Sequence, residues 1–207
     1  MPQQLSLPGL QAWPECFDLD PPAQPGMPQR YKLFFGLFLP QDQAQRLADG
    51  VDALRLQHGL IGEPIALARL HITLHVVTDL HHTIPLAMVE AARAAARTVD
   101  CPPLHIVFDQ ALSFQPNQAF VLRCDACSDA AIARLRQTLT LALRRVGLRT
   151  APSRTPHMTL LYNARSIPTQ HIEPPLRWTA HEFALVLSHT GRTHHQWIDR
   201  WPLVDHR

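Results

Sequence analysis

The chain has 207 residues, 46% of them hydrophobic, and a formal net charge of +2 with histidine neutral. That is enough apolar material for one domain, or for two small lobes packed together, around a real core. The near-neutral balance excludes a global basic field of the kind that coats nucleic acid, while leaving room for a local basic cleft.

Residues 1–28 are expected to form a Pro-rich, disordered extension, because the first thirty residues hold seven prolines, two glycines and no periodic pattern. Within it, Gln4 to Pro8 reads "QLSLP", similar to the short peptide by which bacterial proteins bind the replication sliding clamp. The N-terminus lacks a basic region followed by an apolar core, which argues against a secretory signal. No apolar run reaches the roughly 18 residues of a membrane span, so a cytoplasmic protein without membrane contact is expected.

The folded part, residues 29–207, opens with "YKLFFGLFLP", an apolar strand over Tyr31 to Leu39 that Pro40 closes. A helix over Gln41 to Gln57 carries Leu47, Val51 and Leu54 on one face and stops at Gly59. After "EPIALA" comes "RLHITLHVV", a buried strand that carries two histidines, His71 and His75. An alanine-rich helix is predicted over Ile84 to Val99, with Pro85 in its first turn. "LHIVFDQALSF" and "QAFVLRCD" read as two strands of a hairpin joined by "QPN". "CDAC", Cys124 to Cys127, lacks the second pair or nearby histidines of a zinc site, and four cysteines in this length suggest free thiols rather than a disulfide framework. Ser128 caps the next predicted helix, whose stripe is Ile132, Leu135, Leu139 and Val146 and whose stop is Gly147. "TPHMTLLY" is a further apolar strand with a histidine, and "EFALVLSHT" and "HQWIDRWPL" are the last two strands.

The order repeats: strand, amphipathic helix, then a strand bearing His-x-Thr-Leu. The tetrapeptides are "HITL" from His71 and "HMTL" from His157, 86 positions apart. His-x-Thr alone is expected about 0.8 times by chance, but with an apolar middle residue and a following leucine only roughly 0.05 times. The repeat predicts an α+β fold with two pseudo-symmetric lobes, about 29–100 and 101–207. Each would be a mostly antiparallel sheet flanked by helices, with strands free to exchange, a cleft between the lobes and the two histidine strands side by side at the centre.

On a strand, residues i and i+2 share a face, so His71 projects with Thr73 and His157 with Thr159. Two imidazoles can divide acid and base duty near neutral pH, and two threonine hydroxyls can donate to the non-bridging oxygens of an anion between them. One such histidine alone would read as a hydrogen-bonded core residue. A zinc site is the other competitor, but it would leave the threonines unexplained and lacks a matching carboxylate or cysteine.

These motifs resemble the two-histidine (2H) phosphoesterase superfamily, and within it the bacterial RNA 2′,3′-cyclic phosphodiesterases, also called 2′-5′ RNA ligases. The similarity runs over about Tyr31 to Leu203, through "KLFFGLFLP", "LHITL", "TPHMTLLY" and "EFALVLSHTGR". It implies a hydrolase that opens a 2′,3′-cyclic phosphate to a 2′-phosphate with neither metal nor cofactor, and possible reversal as a 2′-5′ ligase. It also implies His157 as proton acceptor, His71 as proton donor, and Thr73 and Thr159 as holders of the phosphate oxygens. Five residues past each histidine, relatives often place an aromatic and an arginine; here Val76 and Tyr162 stand there. Tyr162, His75 and Arg154 are the candidate substrate-binding residues, with Arg165 and Arg192 as further candidates for an RNA backbone. His75 is included because it shares the parity of His71 and Thr73, and a core or rim place for it stays equally open. The expected partner is RNA with a cyclic phosphate end, or a small nucleotide, bound by a monomer. The same site could act on a small cyclic nucleotide or a 2′-5′ linkage, or the chain could be an RNA-end-binding module recruited through "QLSLP".

Overall fold

A computed structural model describes residues 30–80, 84–114, 118–152, 155–162, 166–190 and 194–205. The Pro-rich head with Gln4 to Pro8, and Arg154, Arg165 and Arg192, lie outside the described residues. The elements in chain order are β1 (Arg30–Phe38), α1 (Gln41–His58), a 3-10 turn (Leu67–Arg69), β2 (His71–Leu80) and α2 (Leu86–Ala96). There follow β3 (Leu104–Phe114), β4 (Ala119–Cys124), α3 (Ala126–Arg145) and the two-residue β5 (Ala151–Pro152). The chain ends on β6 (His157–Leu161), β7 (Gln170–Ala180), β8 (Glu182–Thr190) and β9 (His194–Pro202).

The strands form one mixed-order, antiparallel sheet, β7-β3-β4-β6-β2-β1-β8-β9, with β5 joined to β2. The two histidine strands, β2 and β6, are central neighbours, and four strands lie on each side of the line between them. The last two strands, β8 and β9, add to β1 and not to the half that precedes them in sequence. One core cluster runs beneath the whole sheet, drawing Leu33, Phe35 and Leu37 from β1, Leu47 from α1, Ala92 from α2, and Ile132, Leu135 and Leu139 from α3. Among the described residues no helix is long and apolar enough to cross a membrane.

Two local expectations change. The cap of α3 is Asp125, whose carboxylate accepts from the Ser128 backbone N–H at 2.8 Å. Ser128 lies one turn in, and its hydroxyl accepts from the Val107 backbone N–H at 2.9 Å, tying the helix to β3. Val146 lies at the end of α3 and is 37% exposed, so the buried stripe stops before it. Strand β7, over Gln170–Ala180, is an element the sequence reading did not name, and it carries Pro174 and Pro175. It is an edge strand with a register break opposite β3, the place where a sheet tolerates missing N–H donors.

Candidate active site

Strands β2 and β6 meet through the pair Ile72 with Met158. Both of these side chains are fully buried in the core. Alternation then turns His71, Thr73, His157 and Thr159 to the opposite face together. Extending the antiparallel pair sets His71 across from Thr159 and Thr73 across from His157. The two imidazoles are thus diagonal neighbours, a relation that in such ladders spans roughly 7–8 Å between Cα atoms and leaves room for a tetrahedral anion. The structure brings together all four residues of the doublet.

Each imidazole is held in the same way. His71 Nδ1–H donates to the Arg69 carbonyl at 2.6 Å, and His157 Nδ1–H donates to the Thr155 carbonyl at 2.8 Å. A carbonyl can only accept, so both neutral rings carry their proton on Nδ1 and present Nε2 with its lone pair. Burial pushes the His71 titration down to about 4, with Arg69, His157 and Lys32 adding a positive field and the Arg69 carbonyl opposing it. His157 is also lowered, first by burial and then by the Arg136 guanidinium, against the pull of the Thr155 carbonyl.

A bulge follows each doublet. Opposite β1, the register steps from Gly36 with Thr73 to Phe35 with His75, leaving Leu74 as the extra residue. Opposite β4, it steps from Val121 with Thr159 to Phe120 with Leu161, leaving Leu160 as the extra residue. The extra residue reverses the parity beyond it. The residue four past each histidine, His75 or Leu161, therefore drops into the core, and both are 0% exposed. The residue five past returns to the side of the catalytic pair: Val76 packs with Phe34 and Trp197, and Tyr162, just beyond β6, is 47% exposed.

This corrects the expectation for His75. It does not line the cleft: its Nε2–H is shared between the Arg136 carbonyl at 3.0 Å and the Thr140 hydroxyl at 3.1 Å. Its Nδ1 accepts from the Thr150 hydroxyl at 3.1 Å. It is a satisfied core histidine, and burial lowers its titration point.

The sequence reading missed the surroundings of both histidines, which come from strands distant in the chain. Around His71 stand Phe34 and Phe38, with ring centroids at 4.9 and 5.1 Å, and His195 of β9 at 5.4 Å. Phe38 meets Trp197 at 4.5 Å, and the Arg200 guanidinium lies 4.0 Å over the Trp197 ring. Around His157 stand Phe114 at 4.8 Å and Arg123, its partner across β4. Arg69, two residues before His71, has no ion pair among the described residues, and the field of its charge reaches both His71 and Tyr162. Only the residue's place at the head of the histidine strand could have marked it. Gly36, across from Thr73, leaves space where a Cβ would meet Phe38 at 3.0 Å and Phe34 at 3.3 Å. Among the described residues no three His, Cys, Asp or Glu side chains are grouped to hold a metal ion. Cys124 is buried, with its thiol pushed up to about 12 by burial and nearby carboxylates, while Cys127 is exposed.

The 2′-5′ RNA ligase superfamily family model matches residues 40–192, a span that holds both doublets. The chain belongs to the 2′-5′ RNA ligase superfamily. No curated protein matches it. Among solved structures, E. coli LigT complexed with ATP is 20% identical with a TM-score of 0.64, over 85% of this chain and 99% of that one. A phosphoesterase structure is 22% identical with a TM-score of 0.64, over 84% and 99%. A protein of Thermus thermophilus is 20% identical with a TM-score of 0.62, over 85% and 100%. These likenesses establish the fold: three helices on a mostly antiparallel sheet, as in LigT. Membership of the 2′-5′ RNA ligase superfamily makes the chain an enzyme of phosphodiester bonds.

Proposed function

We propose that the protein is an RNA 2′,3′-cyclic phosphodiesterase that opens a terminal cyclic phosphate to a 2′-phosphate by two-histidine acid–base catalysis. The observation that carries this reading is the pairing of Ile72 with Met158, which turns both His-x-Thr doublets to one face. His157 Nε2 takes a proton from water as the water oxygen attacks phosphorus. The bond from phosphorus to O3′ breaks, and His71 Nε2–H delivers its proton to the departing oxygen. Thr73 and Thr159 donate hydrogen bonds to the non-bridging oxygens. Acid and base are assigned by family resemblance, since the two rings share one tautomer and one backbone anchor.

His71 must hold a proton to act as acid, and the resting protein disfavours it there. A bound phosphate supplies the negative charge that brings it back, so substrate binding itself arms the acid. The positive field of Lys32 and Arg69 at His71 suits an anionic ligand. Phe38 and Trp197 offer π-faces on which a nucleobase can stack. E. coli LigT has been solved with 3′-AMP and with phosphate, which agrees with a nucleotide-sized ligand on this fold.

The test is hydrolysis of an oligonucleotide ending in a 2′,3′-cyclic phosphate, with the product identified, for the wild type and His71→Ala. A 2′-phosphate product lost in the variant supports the proposal. Turnover of only small cyclic nucleotides or 2′-5′ linkages would move the substrate class, and binding of RNA ends without turnover would replace the enzyme reading.

A further inference from the structure

Behind the catalytic strands, on the core side of the sheet, lies an arginine that no sequence pattern singled out. Arg136 sits on α3 between the fully buried Leu135 and Leu139 and is itself only 5% exposed. Its guanidinium Nη2 donates to the Thr73 carbonyl at 2.5 Å. Its own carbonyl accepts from the Thr140 hydroxyl at 2.7 Å and from His75 Nε2–H at 3.0 Å. One residue thus grips β2 on both sides of the bulged Leu74, the bulge that keeps Thr73 on the catalytic face and sends His75 into the core.

The arrangement is expensive as a purely structural device. A charge taken out of water without a partner is destabilising, and a methionine or leucine would fill the same volume. Arg136 makes no ion pair among the described residues, and its Nε has no hydrogen-bond partner. Asp129 and Cys124 are the acidic groups whose fields reach it, and burial still draws its titration down to about 10. Its charge acts on both His75 and His157.

We propose that Arg136 is a positioning residue for the two-histidine site, holding the β2 bulge that aims Thr73 and placing a fixed positive charge behind the catalytic strands. The charge opposes protonation of His157, which keeps that imidazole in the neutral form a general base requires. His157 also has Arg123 opposite it on β4 and His71 diagonal to it on β2, and of the two arginines Arg136 is the more deeply buried. The consequence for catalysis rests on the proposed phosphodiesterase reading; the electrostatic consequence does not.

Two variants and two measurements separate these. Arg136→Met removes the charge and the hydrogen bond at similar volume, while Arg136→Lys keeps the charge and shortens the fork. The titration of His157, followed by NMR of its ring C–H signals in the resting protein, is expected to move up by about half a unit or more in Arg136→Met. In Arg136→Lys it is expected to stay near the wild-type value. On a 2′,3′-cyclic phosphate, kcat of Arg136→Met is expected to fall at least tenfold, with the acid limb of its pH profile moved the same way and KM little changed. If Arg136→Met does not fold, a folded Arg136→Lys whose His157 titration moves as far as the half unit overturns the charge role. An unchanged His157 titration together with an unchanged pH limb in folded Arg136→Met overturns the proposal outright. Wild-type inactivity on every cyclic phosphate, with the His157 shift present, sinks the phosphodiesterase reading and leaves the placement of charge standing.

Discussion

The two halves of the site use the same backbone device and give it different surroundings. In both, the histidine anchors Nδ1 on the carbonyl two residues upstream, a threonine shares its face, and a bulge follows. On the β2 side, Phe34, Phe38 and His195 wall in the imidazole. On the β6 side, among the described residues, one ring, Phe114, stands at the imidazole, and Arg123 lies across from it. Repetition of backbone geometry supplies two equivalent nitrogens; the unequal neighbours make them chemically different. The same contrast appears one step further on, where Leu161 fills the core position that His75 occupies in the other half.

The largest effect tests the equivalence. His71→Ala and His157→Ala are each expected to lower kcat on a cyclic phosphate by about two to three orders of magnitude, within the usual span for lost acid–base catalysis. The double variant should be little worse than either single one, because the two act as a unit. Losses below tenfold at both positions would mean that the pair is not the catalytic machinery.

The pH profile tests the inequality. Both imidazoles are lowered from the ordinary 6.5, so the base stays neutral to lower pH and the acid sheds its proton earlier as pH rises. The kcat/KM profile, which reports the free enzyme, is therefore expected to be a bell with its maximum below pH 6.5. The kcat profile, read with the anion bound, should lie to its alkaline side. Profiles that coincide would show that the phosphate does not arm His71.

The aromatic wall offers a one-sided break. Phe38→Ala should let water reach His71 and move its titration from about 4 back toward 6.5, while leaving His157 where it was. Trp197→Ala should raise KM for a base-bearing substrate by about tenfold, as one lost stacking contact of roughly 1–3 kcal/mol predicts. A substrate without a base should not feel that change.

The smallest effect on turnover belongs to His75→Leu, which copies the other half. Activity should stay within a few-fold, while stability falls by about 1–3 kcal/mol because the Thr150 hydroxyl loses its buried acceptor. His71, His75 and His157 all have folded titration points below the unfolded 6.5, so the unfolded chain binds more protons under mildly acid conditions. The contribution of these histidines to stability is then complete above pH 6.5 and is lost as pH falls toward about 4; urea unfolding across that range should show a shallower loss for His75→Leu.

The sequence by itself determined the periodic elements, the antiparallel α+β class and the four doublet residues, because strand parity and helix periodicity are local properties. The limits of β3 and β8 and most of α1 were legible for that reason. Parity fails where a bulge intervenes, and a bulge exists only against a partner strand. Hence His75, two positions past Thr73, shared the parity of a cleft residue, and only the bulge decided for its core alternative. The internal repeat also pointed to β2 beside β6, and the sheet order agrees. Tertiary structure alone decided the register that pairs Ile72 with Met158, the aromatic wall that β1 and β9 build around His71, and the buried Arg136 beneath Thr73. Each of these joins segments tens of residues apart, and no run of neighbouring residues carries the register or the side-chain contacts between them.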